Sequence, residues 1–195
     1  AWSGPVHPSY LGYGWMKRYL EKLAEYVATH SQLKIAIVRP TALYGRWDNF
    51  DPSGSHVIPA LIRKALEKQD PFQVWGSGQE VRDFLHISAL ARGSLLVLEK
   101  CATCDPINLG YGRGVTIGEI VGIILKAAGY RDANVAFDTS RPTTIPFRMV
   151  DTSKAKKLLD FEPQVSIEEG LTDTVNWYAR IGSQAAFGVN PVSPQ

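Results

Sequence analysis

Apolar side chains at Leu20, Leu23, Ala24 and Val27 recur at helical spacing, with Lys, Glu and Arg on the opposite face. The pattern predicts an amphipathic helix from Tyr10 to about His30. The next run, Leu33 to Val38, is short, β-rich and nearly all apolar, which predicts a strand buried on both faces of a parallel sheet and stopped at Arg39-Pro40. Thr41 to Ser55 is rich in Gly, Asp, Asn, Pro and Ser and reads as a loop long enough to carry function. Helical periodicity returns at Val57 to Lys68. Phe72 to Trp75 then reads as a strand, Gly76-Ser77-Gly78 as a turn, Val81 to His86 as a strand and Ile87 to Lys100 as a helix. The segments INLG (from Ile107), Thr116 to Ala128 and NVAF (from Asn134) continue as strand, helix and strand. Ser153 to Leu159 and Ile167 to Ile181 close the pattern as helices, with Pro191 to Gln195 as a frayed tail.

Alternating strands and helices predict an α/β fold with an incomplete parallel sheet and a small α/β substrate lobe. The Leu33–Val38 strand needs parallel neighbours on both sides, and too few strands remain to supply them. The expectation is therefore a fragment, or a sheet completed by a partner; a small self-contained α/β domain is the alternative. We expect a remnant of the larger fold over residues 1–50, a lobe with returning core elements over 51–185, and a tail over 186–195.

The composition, 45% apolar and 21% charged over 195 residues, is that of a globular chain. It has no uncharged apolar run of about 18 residues, so no membrane span is expected. Twenty-one basic and 19 acidic side chains leave a net charge of +2, too little for bulk electrostatic binding of nucleic acid. Any anionic ligand must be held locally. Ala1 to Pro5 lacks a charged stretch followed by an apolar one, so a cytoplasmic protein is expected. Cys101 and Cys104 form a CxxC without a second pair, so no metal site is expected and the two read as a surface pair.

Tyr13 and Lys17 fall at i and i+4 on one helical face. A cation beside a phenol favours phenolate, which suits such a pair to proton transfer; on its own the spacing also fits a solvated helix face. The motifs that follow add to it: a strand ending in RPTALYG, then DNFDPSGSHVIPALIRK, then VWGSGQEVRDFLH. In this order they resemble the extended short-chain dehydrogenase/reductase family that acts on nucleotide sugars, and in particular its epimerase/reductases of GDP-L-fucose synthase type. The resemblance covers about residues 10 to 180.

The resemblance implies a Rossmann-like fold, NADP or NAD as cofactor, and a nucleotide-diphosphate sugar as substrate. It makes Tyr13 the proton donor to the C4 oxygen and gives Lys17 the role of activating Tyr13 and holding the nicotinamide ribose. His56 becomes an acid of the C3/C5 epimerisation and lies near the cofactor; a loop or helix-cap residue is the alternative. Pro40, Thr41, Ala42 and Leu43 match the turn beside the nicotinamide, with Ala42 where the family usually carries Asn. Arg82 matches a diphosphate-binding arginine, with a surface ion pair to Asp83 or Glu80 as the alternative. Trp75 matches a substrate-contacting indole, with a core aromatic as the alternative. Lys64 and Arg148 match basic positions near the substrate, and Thr143 stands where an acidic residue is expected. The family's glycine-rich dinucleotide turn, its catalytic Ser or Thr and its epimerisation cysteine would all precede the YxxxK helix. GYGRG, Gly110 to Gly114, lacks the GxGxxG spacing and reads as a tight turn. A chain inactive alone is expected, associating as a homodimer or with a cofactor-binding half.

Overall fold

Thr116 accepts a hydrogen bond from the Glu119 N–H, while the Glu119 carboxylate accepts one from the Thr116 N–H. This capping box fixes the start of helix α4 (Ile117–Ala127). The apolar face of α4 packs on α2 (Val57–Leu66) and α6 (Ile167–Ala186). These elements belong to a computed structural model that describes residues 4–141 and 145–186. Thr143 and the Pro191–Gln195 tail lie outside the described residues.

The first core joins these three helices to the parallel pair β3 (Phe72–Trp75) and β8 (Val135–Asp138) through Ile58, Ile62, Phe72, Val74, Ile120, Ile124 and Leu171. The second is built on the parallel pair β1 (Val38–Pro40) and β6 (Ile107–Leu109), with α3 (Ile87–Lys100) and α5 (Ser153–Leu159) against it. Gly93 lets α3 approach: a β-carbon there would lie 2.8 Å from Leu109 and Phe161 side-chain atoms.

β2 (Ala42–Tyr44) and β5 (Phe84–His86) pair in parallel between the two cores. A three-stranded sheet places β4 (Val81–Arg82) between antiparallel β7 (Val115–Thr116) and parallel β9 (Phe147–Arg148). Helix α1 (Leu11–His30) follows a 3-10 turn, Pro8–Tyr10, and has no buried residue. Its apolar side chains, among them Trp15, Tyr19, Leu20 and Leu23, face solvent in this chain.

Several expectations are corrected. The strand expected at Leu33–Val38 is regular only at Val38–Pro40, and the run is half-buried to exposed rather than buried on both faces. It pairs with β6 alone among the described residues, so one edge lacks the neighbour that its apolar composition suits. The loop expected over Thr41–Ser55 holds β2, because the strand direction carries on past Pro40 and finds β5 as a partner. The single strand expected at Val81–His86 breaks at Asp83, whose carboxylate turns in to hold a loop. Strands β7 and β9, two residues each, carry no periodic signal and were not expected. Helix α2 ends at Leu66, and α6 runs on to Ala186.

Candidate active site

Helix geometry sets Tyr13 and Lys17 one turn apart, and the Lys17 Nζ lies 5.3 Å from the centre of the Tyr13 ring. The phenol is 62% exposed. Both residues line a groove of about 490 Å³ with Arg18, Glu21 and the Ile37–Pro40 stretch. Glu21 and Arg39 join with two hydrogen bonds, tying α1 to β1 beneath the groove.

Past Pro40 the chain is fixed from two directions. The Thr41 N–H donates to the Leu109 carbonyl at 3.0 Å, and the Thr41 hydroxyl donates to the Asp83 carbonyl at 2.7 Å. Ala42 and Leu43 alternate across β2, so Ala42 packs on the first core and Leu43 on the second. Of the four residues expected beside the nicotinamide, only Pro40 lines the groove.

Arg82 and Arg148 are register partners in the parallel pair β4 and β9, on the same side of the sheet. Arg82 donates through Nη1 to the carbonyls of Val81, at 2.9 Å, and Pro146, at 3.3 Å. Arg148 donates to the Tyr10 hydroxyl at 3.2 Å. Tyr10 stands immediately before α1, three residues from Tyr13. Burial first, and the Arg148 charge second, loosen the hold of the Arg82 guanidinium on its proton. Neither arginine has a carboxylate at ion-pair distance among the described residues. Two neighbouring cations, Arg82 half-buried and Arg148 exposed, neither with a carboxylate partner, can hold an anion between them.

The ion pair considered for Arg82 is not formed, because both candidate carboxylates are occupied. Glu80 accepts from the N–H groups of Ser77 and Gly78, each at 3.0 Å. Asp83, 1% exposed, accepts from the N–H groups of Tyr111, at 2.8 Å, and Gly112, at 3.3 Å. Asp83 therefore holds the GYGRG turn, in which Gly112 has φ +78 and a β-carbon at Gly110 would lie 2.6 Å from the carboxylate. Those amides are not free to cradle phosphate. The sequence carries one hint of this role for Asp83, a carboxylate placed directly before the apolar Phe84-Leu85 pair, and none for Tyr10.

The remaining candidates sit on other elements, α2 and β3. His56 is the exposed N-cap of α2 and makes no side-chain cap bond. Lys64, on the same helix, donates to the Gln73 carbonyl at 2.8 Å, and burial first, then Arg63, pull its pKa below the usual lysine value. Trp75 is exposed at the end of β3, not a core aromatic, and the Arg141 guanidinium lies 5.3 Å from its ring centre. No hydrogen bond, ion pair or ring contact joins His56, Lys64 or Trp75 to the Tyr13 groove or the arginine pair among the described residues. Cys101 and Cys104 are free thiols, half-buried; burial first, then Glu25 and Glu21, push the Cys104 thiol up, away from reactive thiolate. No cluster of metal-ligating side chains occurs among the described residues, and no helix there is long and apolar enough to cross a membrane.

A sequence profile of the NAD dependent epimerase/dehydratase family matches residues 2–110. The chain belongs to that family. It is 33% identical over 180 residues to a putative GDP-L-fucose synthase 2 of Arabidopsis thaliana, an alignment covering 90% of this chain and 54% of the relative. To the GDP-L-fucose synthase of Escherichia coli K12 it is 37% identical over 154 residues, covering 72% of this chain and 47% of the relative. Among solved structures, a GDP-L-fucose synthetase from Naegleria fowleri bound to NADP superposes with a TM-score of 0.83 at 28% identity, over 93% of this chain and 60% of that one. A Thermotoga maritima UDP-glucose 4-epimerase with UDP-glucose gives 0.77 at 30%, over 87% and 53%. This epimerase-family chain thus spans about half the length of the curated relatives it matches. Its fold is that of the Rossmann-like extended short-chain dehydrogenase/reductases.

Proposed function

We propose that the chain is the catalytic-helix and substrate-lobe part of a nucleotide-sugar epimerase/reductase of GDP-L-fucose synthase type. The observation that carries this reading is the Arg82–Arg148 pair, two cations in register on one face of the sheet and tied through Tyr10 to the head of the Tyr13–Lys17 helix. A diphosphate would take both guanidinium groups in place of the missing counter-ion. The Trp75 indole and the Lys64 ammonium would serve the rest of the substrate. Residues 51–185 form mainly the substrate lobe and residues 1–50 the remnant of the cofactor-binding domain, with 186–195 as a tail.

The groove beside Tyr13 and Lys17 suits the nicotinamide-ribose end of NADP or NAD: an ammonium, an open wall of backbone at Val38–Pro40, and a volume near 490 Å³. The GYGRG turn does not offer its Tyr111 and Gly112 amides to the pyrophosphate, since Asp83 holds them. When bound, the reduced nicotinamide supplies a hydride. Tyr13 donates its phenolic proton to the C4 oxygen as the carbonyl becomes an alcohol, and Lys17 stabilises the phenolate left behind. His56 acts as the acid that returns a proton to carbon during the C3/C5 exchange. The exposed apolar stripe of α1 and the open edge of β1 support docking of a cofactor-binding half, and a homodimer, on that side. Cytoplasmic residence belongs to the same proposal, since free thiols suit a reducing compartment.

Calorimetric titration of this chain with GDP-, UDP- and dTDP-sugars tests the reading and identifies the base. Heat of binding with at least one, weakened by salt and lost in Arg82→Ala, is expected. No heat with any would overturn it. With NADPH and a 4-keto sugar the chain alone should not turn over; rapid NADPH oxidation would refute the need for a separate cofactor-binding half.

A further inference from the structure

Residues Gly4–Tyr10, ahead of α1, fold back along that helix and are fixed to it. The Arg18 guanidinium donates to the Gly4 carbonyl at 2.8 Å. Val6 lies in the space left by Gly14, where a β-carbon would come 2.4 Å from Val6 Cγ1. The 3-10 turn Pro8–Tyr10 is closed by the Tyr10 N–H, which donates to the His7 carbonyl at 2.9 Å, and capped by the Ser9 N–H, which donates to His7 Nδ1 at 3.3 Å. Tyr10 is thus rigid with the start of α1, and with Tyr13 and Lys17 on its first turns.

The Tyr10 hydroxyl reaches a different element. It accepts from Arg148 Nη1 at 3.2 Å, and the Arg148 Cζ lies 6.0 Å from the Tyr10 ring centre. Arg148 stands beside a like charge, its register partner Arg82. Burial and then the Arg148 charge weaken the hold of Arg82 on its proton, while the Tyr10 phenol counters them, so the half-buried phenol acts on both guanidinium groups. A guanidinium carries several N–H donors in one plane, and the bond to Tyr10 leaves others of Arg148 for an anion. Helix α1 buries no side chain, so the links at its middle, Glu21 to Arg39, and at its head, Tyr10 to Arg148, weigh heavily in setting its position.

We infer that Tyr10 is a positioning residue: it holds Arg148 beside Arg82 in the geometry that takes an anion, and it transmits occupancy of that pair to the catalytic helix. An anion bridging both guanidinium groups offsets their repulsion and immobilises Arg148. Arg148 then holds Tyr10, and the turn that carries Tyr10 holds the start of α1. Binding at the substrate lobe thereby orders the Tyr13–Lys17 groove. A ligand shifts such an equilibrium only by binding one arrangement better than the other, and the difference here is the tightened Tyr10–Arg148 link. The inference rests on the arginine pair being the diphosphate site, and adds to that reading a coupling between the two sites.

The test uses the chain with inorganic pyrophosphate, read by calorimetry and by backbone amide hydrogen exchange over the first half of α1. Saturating pyrophosphate should slow exchange there several-fold. Tyr10→Phe keeps the ring and removes the acceptor. It should weaken pyrophosphate binding by about three- to tenfold, the range of one hydrogen bond at a half-buried site, and should abolish the slowing at saturation. Arg148→Ala should have both effects, and Tyr10→Phe added to Arg148→Ala should change neither further, because the two residues act through one bond. A phenol with a merely structural role would instead speed exchange in Tyr10→Phe equally with and without pyrophosphate, which would overturn the inference. So would equal slowing in Tyr10→Phe and the parent, or pyrophosphate that does not bind the parent. In each of these cases, heat with a nucleotide sugar that is lost in Arg82→Ala would still sustain the proposed function, whereas absence of that heat removes both.

Discussion

Replacing Asp83 by alanine tests the argument that one buried carboxylate organises the site. The side chain is 1% exposed and satisfies the amides of Tyr111 and Gly112, while its own carbonyl receives the Thr41 hydroxyl. Truncation leaves two backbone donors without an acceptor in a partly buried turn. At about 1–3 kcal/mol for each donor, reduced where water reaches the turn, the variant should lose about 2–4 kcal/mol. Urea unfolding followed by far-UV circular dichroism reads this as a fall in midpoint at constant slope. Asp83→Asn keeps an acceptor oxygen but places an NH2 group where an amide donor already points, so it should lose less.

The pH dependence gives an independent check. Burial holds the Asp83 carboxyl above the usual aspartate range, against the pull of the Tyr111, Gly112 and Val150 amides. The folded state thus binds this proton more tightly than the unfolded state. Its contribution to stability is greatest in acid and is lost as pH rises from the ordinary aspartate value through the raised one. Asp83→Asn should remove that slope. An alanine variant within about 0.5 kcal/mol of the parent, with the same acid profile, would refute the account.

Glu80 has the opposite sign. Although desolvation pulls it up, the bonds from Ser77 and Gly78 prevail and hold its pKa below the usual glutamate value. Its stabilisation is therefore complete above that ordinary value and lost as pH falls through the lowered one, so Glu80→Gln should flatten the acid limb of a thermal-stability profile. An unchanged limb would contradict this. Gly93→Ala should destabilise by about 1–3 kcal/mol through overpacking against Leu109 and Phe161, less up to about 1 kcal/mol gained in helix propensity. A melting temperature equal to or above the parent's would show that α3 moves away from β6 at little cost.

How much of this was legible in the residues differs from element to element. Periodicity located α1, α2, α3, α4 and α6 to within a few residues because each helix carries an apolar stripe long enough to register at 3.6 residues per turn. The motifs from YxxxK to VRDFLH carried the family resemblance, which depends on order and spacing along one chain. Three short strands escaped, since β2, β7 and β9 are too short for a period of two and form where β5 and β4 offer them a partner.

The amino-acid sequence by itself determined the α/β class and the helical pairing of Tyr13 with Lys17, because these follow from local spacing, and its motifs carried the resemblance to the family. Only the tertiary structure decided that Arg82 faces Arg148 from 66 positions away, that Asp83 holds a turn rather than a cation, and that the Tyr44 hydroxyl and His86 Nε2 are buried without a hydrogen-bond partner. Those are consequences of register between distant strands and of which side of a strand meets a core. Neither is encoded in any single stretch of chain.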